Sequence, residues 1–469
     1  MRFFIDQHGC AKNQVDGEEI VARLEAEGHT ECLSPEEADL FLVNSCGFIE
    51  GAKKESIDAV LELRERFPGK KILLAGCLAQ RYALALADEL PEADGIVGNA
   101  DLAAVAVAAA GIAAGERPVL VPKAAPRIGD FPRKRLFDYP GLAHVKITEG
   151  CSNKCAYCAI PLIRGELRSR LPTEVVEECR VLLARGIKEI VLVGQDLGSY
   201  GKDREARGLL PELLAALSKL PGDFRVRVLY IHPDNFPRGI LPIMKVDPRI
   251  LPYFDLPFQH ASSRILKSMN RRGDAATYLE LVAHIRETLP DAMIRSTFLV
   301  GFPGETEADF DALTAFQEAA RLDWLGSFAY SREEDTPAFA FKGKVPKKTA
   351  AARKKAVEEI QERITRERLE RFVGRELEVL VEERVRKSGE ADDEELAIGR
   401  AYCQAPDVDG LTVLRGDAEP GTMVRARILA VTGVDLDALI LDVAPGTSAS
   451  ARPESSVGGM GEIDGGRGR

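Results

Sequence analysis

Long apolar runs are missing from this chain of 469 residues. The longest uncharged stretch, Leu102 to Gly115, has 14 residues and is mostly alanine. That falls short of the roughly 20 needed to cross a bilayer, and it reads instead as a helix packed on the N-terminal region. The opening MRFFIDQHGC reaches Asp6 before the apolar core of a signal peptide can form, so neither export nor membrane anchoring is expected, and a cytoplasmic location is. Cysteine is sparse too. Nine residues, unevenly placed, do not make a secreted disulfide framework and suit a reducing compartment. An excess of positive charge is also absent: the formal net charge is -11, and Arg375 to Val443 holds eight basic and sixteen acidic residues. A surface that displaces counterions from phosphates must be cationic, so direct RNA binding is not expected to dominate, whereas an acidic module suits a basic protein partner.

Against that sparseness, Cys151, Cys155 and Cys158 form a C-x3-C-x2-C run just after the strand-like segment Ala143 to Thr148. Three thiolates this close can hold three irons of a four-iron four-sulfur cluster and leave the fourth iron open to a chelating ligand. Zinc competes as a reading, but it takes four ligands, usually as two separated pairs. No fourth cysteine lies within twenty residues, and His144 sits toward the far end of the predicted strand. The triplet resembles the signature of the radical S-adenosylmethionine (SAM) enzymes, and Tyr157 matches the aromatic residue usual before the third cysteine. That resemblance implies that SAM chelates the open iron and that one electron from the cluster cleaves it to a 5'-deoxyadenosyl radical.

Composition divides the chain. Residues 1–121 alternate apolar strands and helices; residues 122–138 are proline-rich and basic and read as a linker. Residues 139–372 show a strand-then-helix rhythm with six candidate strands: Ala143 to Thr148, Glu189 to Val193, Arg225 to Ile231, Tyr253 to Pro257, Met293 to Val300 and Trp324 to Tyr330. Six parallel units make an incomplete (β/α)6 barrel, and the triplet after the first strand falls at the C-terminal mouth, where barrels keep their chemistry. Ala351 to Arg371 is charge-dense with i,i+4 pairs and reads as a solvated connecting helix. Residues 373–444 contain five short alternating strands, expected as an antiparallel β-barrel, and the Gly/Ser-rich tail 445–469 is expected to be disordered. The fold class is therefore α/β with a C-terminal β-barrel.

Cys10, Cys46 and Cys77 each follow an apolar strand-like run and would converge at one sheet edge. Their spacing is no local metal motif, so the residues alone leave them as small buried side chains. The surrounding segments change that weighting. GCAKNQVDGE, NSCGFIEGAKKESI and AGCLAQRY resemble the N-terminal domain of the radical SAM methylthiotransferases, and EGCSNKCAYCAIPLIRGELRSR, LVGQDLGSYG, DLPFQHASSRILKSMNRRG and FLVGFPGET resemble that family's catalytic barrel. The resemblance covers roughly residues 1–443. It implies that Cys10, Cys46 and Cys77 hold a second four-iron cluster, that Gly194 and Gln195 contact the methionine part of SAM, that Gly301 lies against its adenosine part, and that the C-terminal strands form a TRAM domain. GCAKNQVD and LPFQHASSRIL are similar to the branch that acts on a ribosomal protein. This implies β-methylthiolation of an aspartate in the small-subunit protein numbered twelve, with a flavodoxin- or ferredoxin-like electron donor. Two alternatives stand beside it: methylthiolation of an adenosine in tRNA, and a non-catalytic, cluster-carrying ribosome assembly factor.

Other residues carry weaker signals. Arg164, Arg168 and Arg170 are candidates for binding carboxylates. His232 and His260, near strand ends, are candidate proton shuttles or substrate contacts, and His8 replaces the apolar residue usual before Gly9. Asp392, Asp393, Glu394 and Glu395 form an acidic run suited to docking a basic protein. Cys32, Cys179 and Cys403 match no cluster position and read as ordinary thiols.

Overall fold

The computed structural model describes residues 1–124, 132–204, 207–385 and 395–443. Part of the expected linker, the tail 445–469, and Asp392, Asp393 and Glu394 fall outside the described residues. Among those residues no helix is long and apolar enough to cross a membrane.

The N-terminal region is one parallel sheet of β1 (Arg2–Gln7), β2 (Thr30–Glu31), β3 (Leu40–Ser45), β4 (Lys71–Gly76), β5 (Gly95–Gly98) and β6 (Val119–Leu120) in the order β2-β1-β3-β4-β5-β6. Every residue of β3 is buried, as a strand covered on both faces requires. The covering helices are α1 (Ala11–Ala26), α2 (Glu50–Arg66), α3 (Cys77–Glu89) and α4 (Ala104–Ala113). The alanine-rich stretch is thus α4, with Val105, Ala108, Ala109 and Ile112 in the core beneath the sheet.

All six expected barrel strands form. They are β7 (Leu142–Lys146) and, after the short pair β8 (Thr148–Glu149) and β9 (Arg168–Ser169), β10 (Glu189–Val193), β11 (Arg225–Val228), β12 (Tyr253–Asp255), β13 (Met293–Val300) and β14 (Trp324–Ala329). They pair in parallel as two three-stranded halves, β11-β10-β7 and β12-β13-β14, joined by a bridge from Val226 to Ile250. No pairing joins β14 back to β7 among the described residues, so the barrel is open on that side. The chain returns between strands through α5 (Ile160–Arg164), α6 (Pro172–Ala184), α7 (Leu210–Leu217), α8 (Ile240–Val246), α9 (Ser263–Ser268), α10 (Ala275–Thr288) and α11 (Glu307–Ala320). Local chemistry starts several of them: Pro172 opens α6, and Thr306 with Asp309 caps α11 reciprocally. The charge-dense helix α12 (Lys347–Leu369) is more than a solvated connector. It carries its i,i+4 ion pairs outward while Val357, Gln361, Ile364 and Leu369 are buried, and Gln361 donates to the Leu322 carbonyl just before β14.

The C-terminal strands β15 (Glu376–Val385), β16 (Leu396–Ala401), β17 (Thr412–Arg415), β18 (Met423–Thr432) and β19 (Asp435–Val443) close into a barrel in the order β15-β16-β17-β19-β18. The expectation of an all-antiparallel barrel needs correction, because β17 and β19 pair in parallel. A closed ring with an odd number of strands cannot alternate direction all the way round, so at least one neighbouring pair must be parallel.

This barrel plugs the bottom of the larger one. Leu142, Tyr253, Met293 and Trp324, which begin β7, β12, β13 and β14, share one apolar cluster with Val379, Ala401, Cys403 and Ala405, and Trp324 Nε1 donates to the Cys403 carbonyl at 2.7 Å. Within that contact Glu189 accepts from Arg227 at 2.7 Å and Arg225 at 3.0 Å, and lies 3.5 Å from Arg400. Burial alone would raise its pKa, but Arg227, Arg400 and Arg225 hold the carboxyl well below the usual range. Its stabilisation is therefore full at neutral pH and lost as the pH falls through and below the ordinary carboxylate range. Glu189→Gln leaves the arginines uncompensated and is expected to cost about 3–5 kcal/mol. Urea denaturation at pH 7 checks this, and a change under 1 kcal/mol would contradict it.

Candidate functional site

Strand order brings the N-terminal cysteines together. β1, β3 and β4 are adjacent and parallel, and Cys10, Cys46 and Cys77 leave their C-terminal ends. Cys10 is the N-cap of α1 and Cys77 is the first residue of α3, so two of the thiols stand at helix N-termini, where negative charge is favoured. Asn13 clips the edge: its amide donates to the His8 and Asn44 carbonyls at 2.8 and 3.2 Å. Cys77 Sγ accepts from Asn99 Nδ2 at 3.3 Å and from Arg164 Nη2 at 3.2 Å.

The second triplet lies on the loop after β8, at the mouth of the barrel. Asn153 Nδ2 donates to Cys151 Sγ at 3.4 Å, and the Cys158 amide donates to the Cys155 carbonyl. His232 Nδ1 accepts from the Asp234 amide, which leaves Nε2 facing Cys155 Sγ at 3.9 Å. Burial, with a smaller contribution from Arg271, pushes the His232 pKa down to about 4, so the ring is neutral. Non-glycine residues with left-handed backbone gather around this mouth: Lys154 (φ 54), Tyr230 (φ 61), Gln259 (φ 69) and Asn270 (φ 60). Such strain collects at functional sites, and Asn270 supports the loop by donating to the Lys154 carbonyl at 2.9 Å.

The two triplets face each other at close range. Ala159, directly after Cys158, packs on Cys77 together with Ile163. Arg164, at the end of α5, binds Asp16 of α1 at 2.9 Å, Glu149 of β8 at 2.9 Å and Cys77. Lys146 completes the group by pairing with Asp16 and, at 2.8 Å, with Glu149. Two cations and two anions, all buried, therefore tie the N-terminal region to the barrel mouth. A further link between the two regions comes from Lys53 and Arg81, which clamp Glu333 at 2.9 and 2.8 Å. Arg164 thus binds carboxylates, as expected, and they come from the protein itself.

Both triplets suit iron–sulfur clusters. Among the described residues no His, Cys, Asp or Glu group closes around a single metal ion; in a four-iron cluster each of three thiolates binds a different iron. Burial pushes the thiols of Cys46 and Cys151 up to about 11 and Cys158 up to about 12. Bare thiolates are disfavoured there, and a bound cluster would supply the compensating charge that keeps them deprotonated. The SAM side fits as well. Thr148 Oγ1 and Gln195 Oε1 are buried without a partner among the described residues, and both are at the mouth, where a polar ligand would satisfy them. Gly194 lies against them, and a Cβ there would collide with Thr148 and Leu197. Tyr157 packs beside Ile265 and Phe302, and its hydroxyl accepts from Arg271 at 3.3 Å. Gly301 adopts φ 74, and a Cβ there would meet Ala350 of α12 at 2.6 Å, so the close approach of a helix already requires glycine at this position.

The remaining candidates have structural tasks. His260 Nδ1 accepts from the amides of Ala261 and Ser262 at 2.9 and 3.0 Å and so orders the turn that leads into α9. Arg170 is buried and binds Glu178 and the Lys146 carbonyl, and Arg168 lies on β9 opposite Glu149. His8 sits 3.1 Å from Asp6 and 3.4 Å from Glu55; its hydrogen bond to Asp6 raises its pKa against the opposing effect of burial. Cys32, Cys179 and Cys403 are buried core thiols. Lys12 and Asn13 belong to the motif around Cys10, but nothing in their spacing marks them as site residues, and Asn99 lies outside every motif and reaches Cys77 only through the fold.

Comparison with known proteins places this geometry. Family models match at residues 2–98 (uncharacterised protein family UPF0004), 145–316 (radical SAM superfamily) and 373–440 (TRAM domain). The ribosomal protein uS12 methylthiotransferase RimO of Treponema denticola is 46% identical, with 93% of this chain and 100% of that protein covered. The chain belongs to the RimO family of radical SAM methylthiotransferases. RimO proteins of Symbiobacterium thermophilum (41% identical, 91% of this chain and 88% of that one) and Streptomyces griseus (39%, 91% and 95%) agree. Like them, it is an enzyme, and its cofactors are SAM and two four-iron four-sulfur clusters. Among solved structures, the radical SAM methyltransferase TsrM of Kitasatospora setae shares the fold at 16% identity, with a TM-score of 0.54 over 72% of this chain and 74% of that one.

Proposed function

We propose that this RimO-family chain methylthiolates the β-carbon of an aspartate in ribosomal protein uS12, with Cys151, Cys155 and Cys158 holding the SAM-cleaving cluster and Cys10, Cys46 and Cys77 the second one. The observation that carries the reading is the packing of Ala159, the residue after Cys158, on Cys77, which supports two neighbouring sites. A carbon–hydrogen bond beside a carboxylate is inert to side-chain bases at neutral pH, so bound SAM and the two clusters supply the radical and sulfur chemistry. The chain's own residues hold and orient. Asn153 and His232 face thiols of the mouth triplet. Thr148, Gln195 and Gly194 line the proposed place for the methionine part of SAM, with Tyr157 on the cluster loop and Gly301 at the end of β13. The buried group of Asp16, Lys146, Glu149 and Arg164 fixes the spacing between the two sites and keeps water from the seam between them.

The acidic C-terminal barrel stands at the end opposite the clusters, and it suits the basic surface of a ribosomal protein better than RNA phosphates. A flavodoxin- or ferredoxin-like donor is proposed for the electron. Mass spectrometry of ribosomal proteins and tRNA hydrolysates from cells with and without the gene tests the reading. Loss of one methylthio group from uS12 is expected in the deletion strain; unchanged uS12 with loss of a methylthioadenosine would reverse it in favour of tRNA.

A further inference from the structure

Lys12, the second residue of α1, is 8% exposed. Its ammonium lies 3.7 Å from the centroid of the Tyr230 ring, and among the described residues it has no hydrogen bond and no ion pair. A cation–π contact uses one face of an ammonium that carries three donors. Cys10 and Asp255 are the anionic neighbours of Lys12, neither within ion-pair distance, whereas Lys146 and Arg164 nearby are each matched by carboxylates at hydrogen-bond distance. The surroundings of Lys12 are those of a site. Cys10, two residues earlier, is exposed, so the N-terminal triplet has an open edge beside Lys12. Tyr230, at the end of β11, is held with left-handed backbone, its amide donating to Asp255 Oδ2 at 3.2 Å and its carbonyl accepting from Leu197.

We infer that Lys12 is the anchor for the side-chain carboxylate of the target aspartate, placing its β-carbon between the two cysteine triplets. This inference rests on the uS12 reading above. Three thiolates around a cluster core carry net negative charge, which repels an incoming carboxylate. A cation at the rim of that site reverses the sign, and its position fixes the carbon next to the carboxylate. An adenosine ring offers no such anion, so the same lysine selects an acidic side chain over a nucleobase.

The test is a two-by-two comparison of binding. The reconstituted enzyme, as wild type and Lys12→Met, is titrated with uS12 carrying either aspartate or asparagine at the target position. Wild type is expected to bind the aspartate form about 10–100-fold more tightly, the range for loss of one charged hydrogen-bonded contact. Lys12→Met should bind both forms alike, and Lys12→Arg should restore part of the preference. The reduction potential of the N-terminal cluster, read by electron paramagnetic resonance titration, should fall in Lys12→Met, because the lysine charge stands beside Cys10, and stay near the wild-type value in Lys12→Arg. A preserved preference for aspartate in Lys12→Met would overturn the inference, as would a shifted cluster potential with unaltered substrate preference, which would make Lys12 a counter-charge for the cluster. If the wild type modifies no aspartate of uS12, the functional reading itself fails, and that result is distinct from either outcome for Lys12.

Discussion

Replacing Cys151, Cys155 and Cys158 together by alanine is expected to remove half of the iron and all reductive cleavage of SAM. One four-iron cluster per triplet gives about eight irons in anaerobically reconstituted protein and about four in the variant. The fold should survive, because these residues lie on a half-exposed loop outside the strands. The N-terminal cluster should persist, because its thiols leave a different sheet and two of them are supported by the N-termini of α1 and α3. Iron analysis and quantification of 5'-deoxyadenosine check both halves. Loss of all the iron, or of none, would contradict two independent sites.

The reciprocal variant, with alanine at Cys10, Cys46 and Cys77, is expected to separate radical generation from sulfur transfer. It should still form 5'-deoxyadenosine, because that reaction belongs to the triplet at the barrel mouth, and it should form no methylthio product. Cys77 also packs on Ala159 and accepts from Arg164, so a modest fall in the cleavage rate is compatible with the role. Product at the normal rate would remove the N-terminal triplet from sulfur handling.

Much of this arrangement was legible in the sequence because it is local. Most barrel strands are short apolar runs, such as EIVLV from Glu189 to Val193 and MIRSTFLV from Met293 to Val300, and both of these run directly into a loop that carries a family motif. The convergence of Cys10, Cys46 and Cys77 was readable from their offsets after apolar strands, given a parallel sheet. What could not be read is what depends on distant partners. Arg164 binds Asp16, 148 positions earlier, and Cys77, 87 positions earlier; no periodicity encodes that. Lys12 looks like any polar residue at the start of a helix until Tyr230 is placed over it. The plugging of the barrel bottom by the C-terminal module is likewise invisible in a segment that reads as an independent unit. The parallel pairing of β17 with β19 is different in kind, since counting five strands around a closed ring would have revealed it.

The most direct measurement offers both candidate substrates to one enzyme. Reconstituted protein, SAM, a sulfur source and a low-potential reductant are incubated anaerobically with small ribosomal subunits and total tRNA together, and both are analysed by mass spectrometry. The account predicts one methylthio group replacing one hydrogen on the β-carbon of a single uS12 aspartate, no methylthioadenosine, and no product when Cys10, Cys46 and Cys77 are alanine. Unmodified uS12 alongside newly formed methylthioadenosine would contradict it.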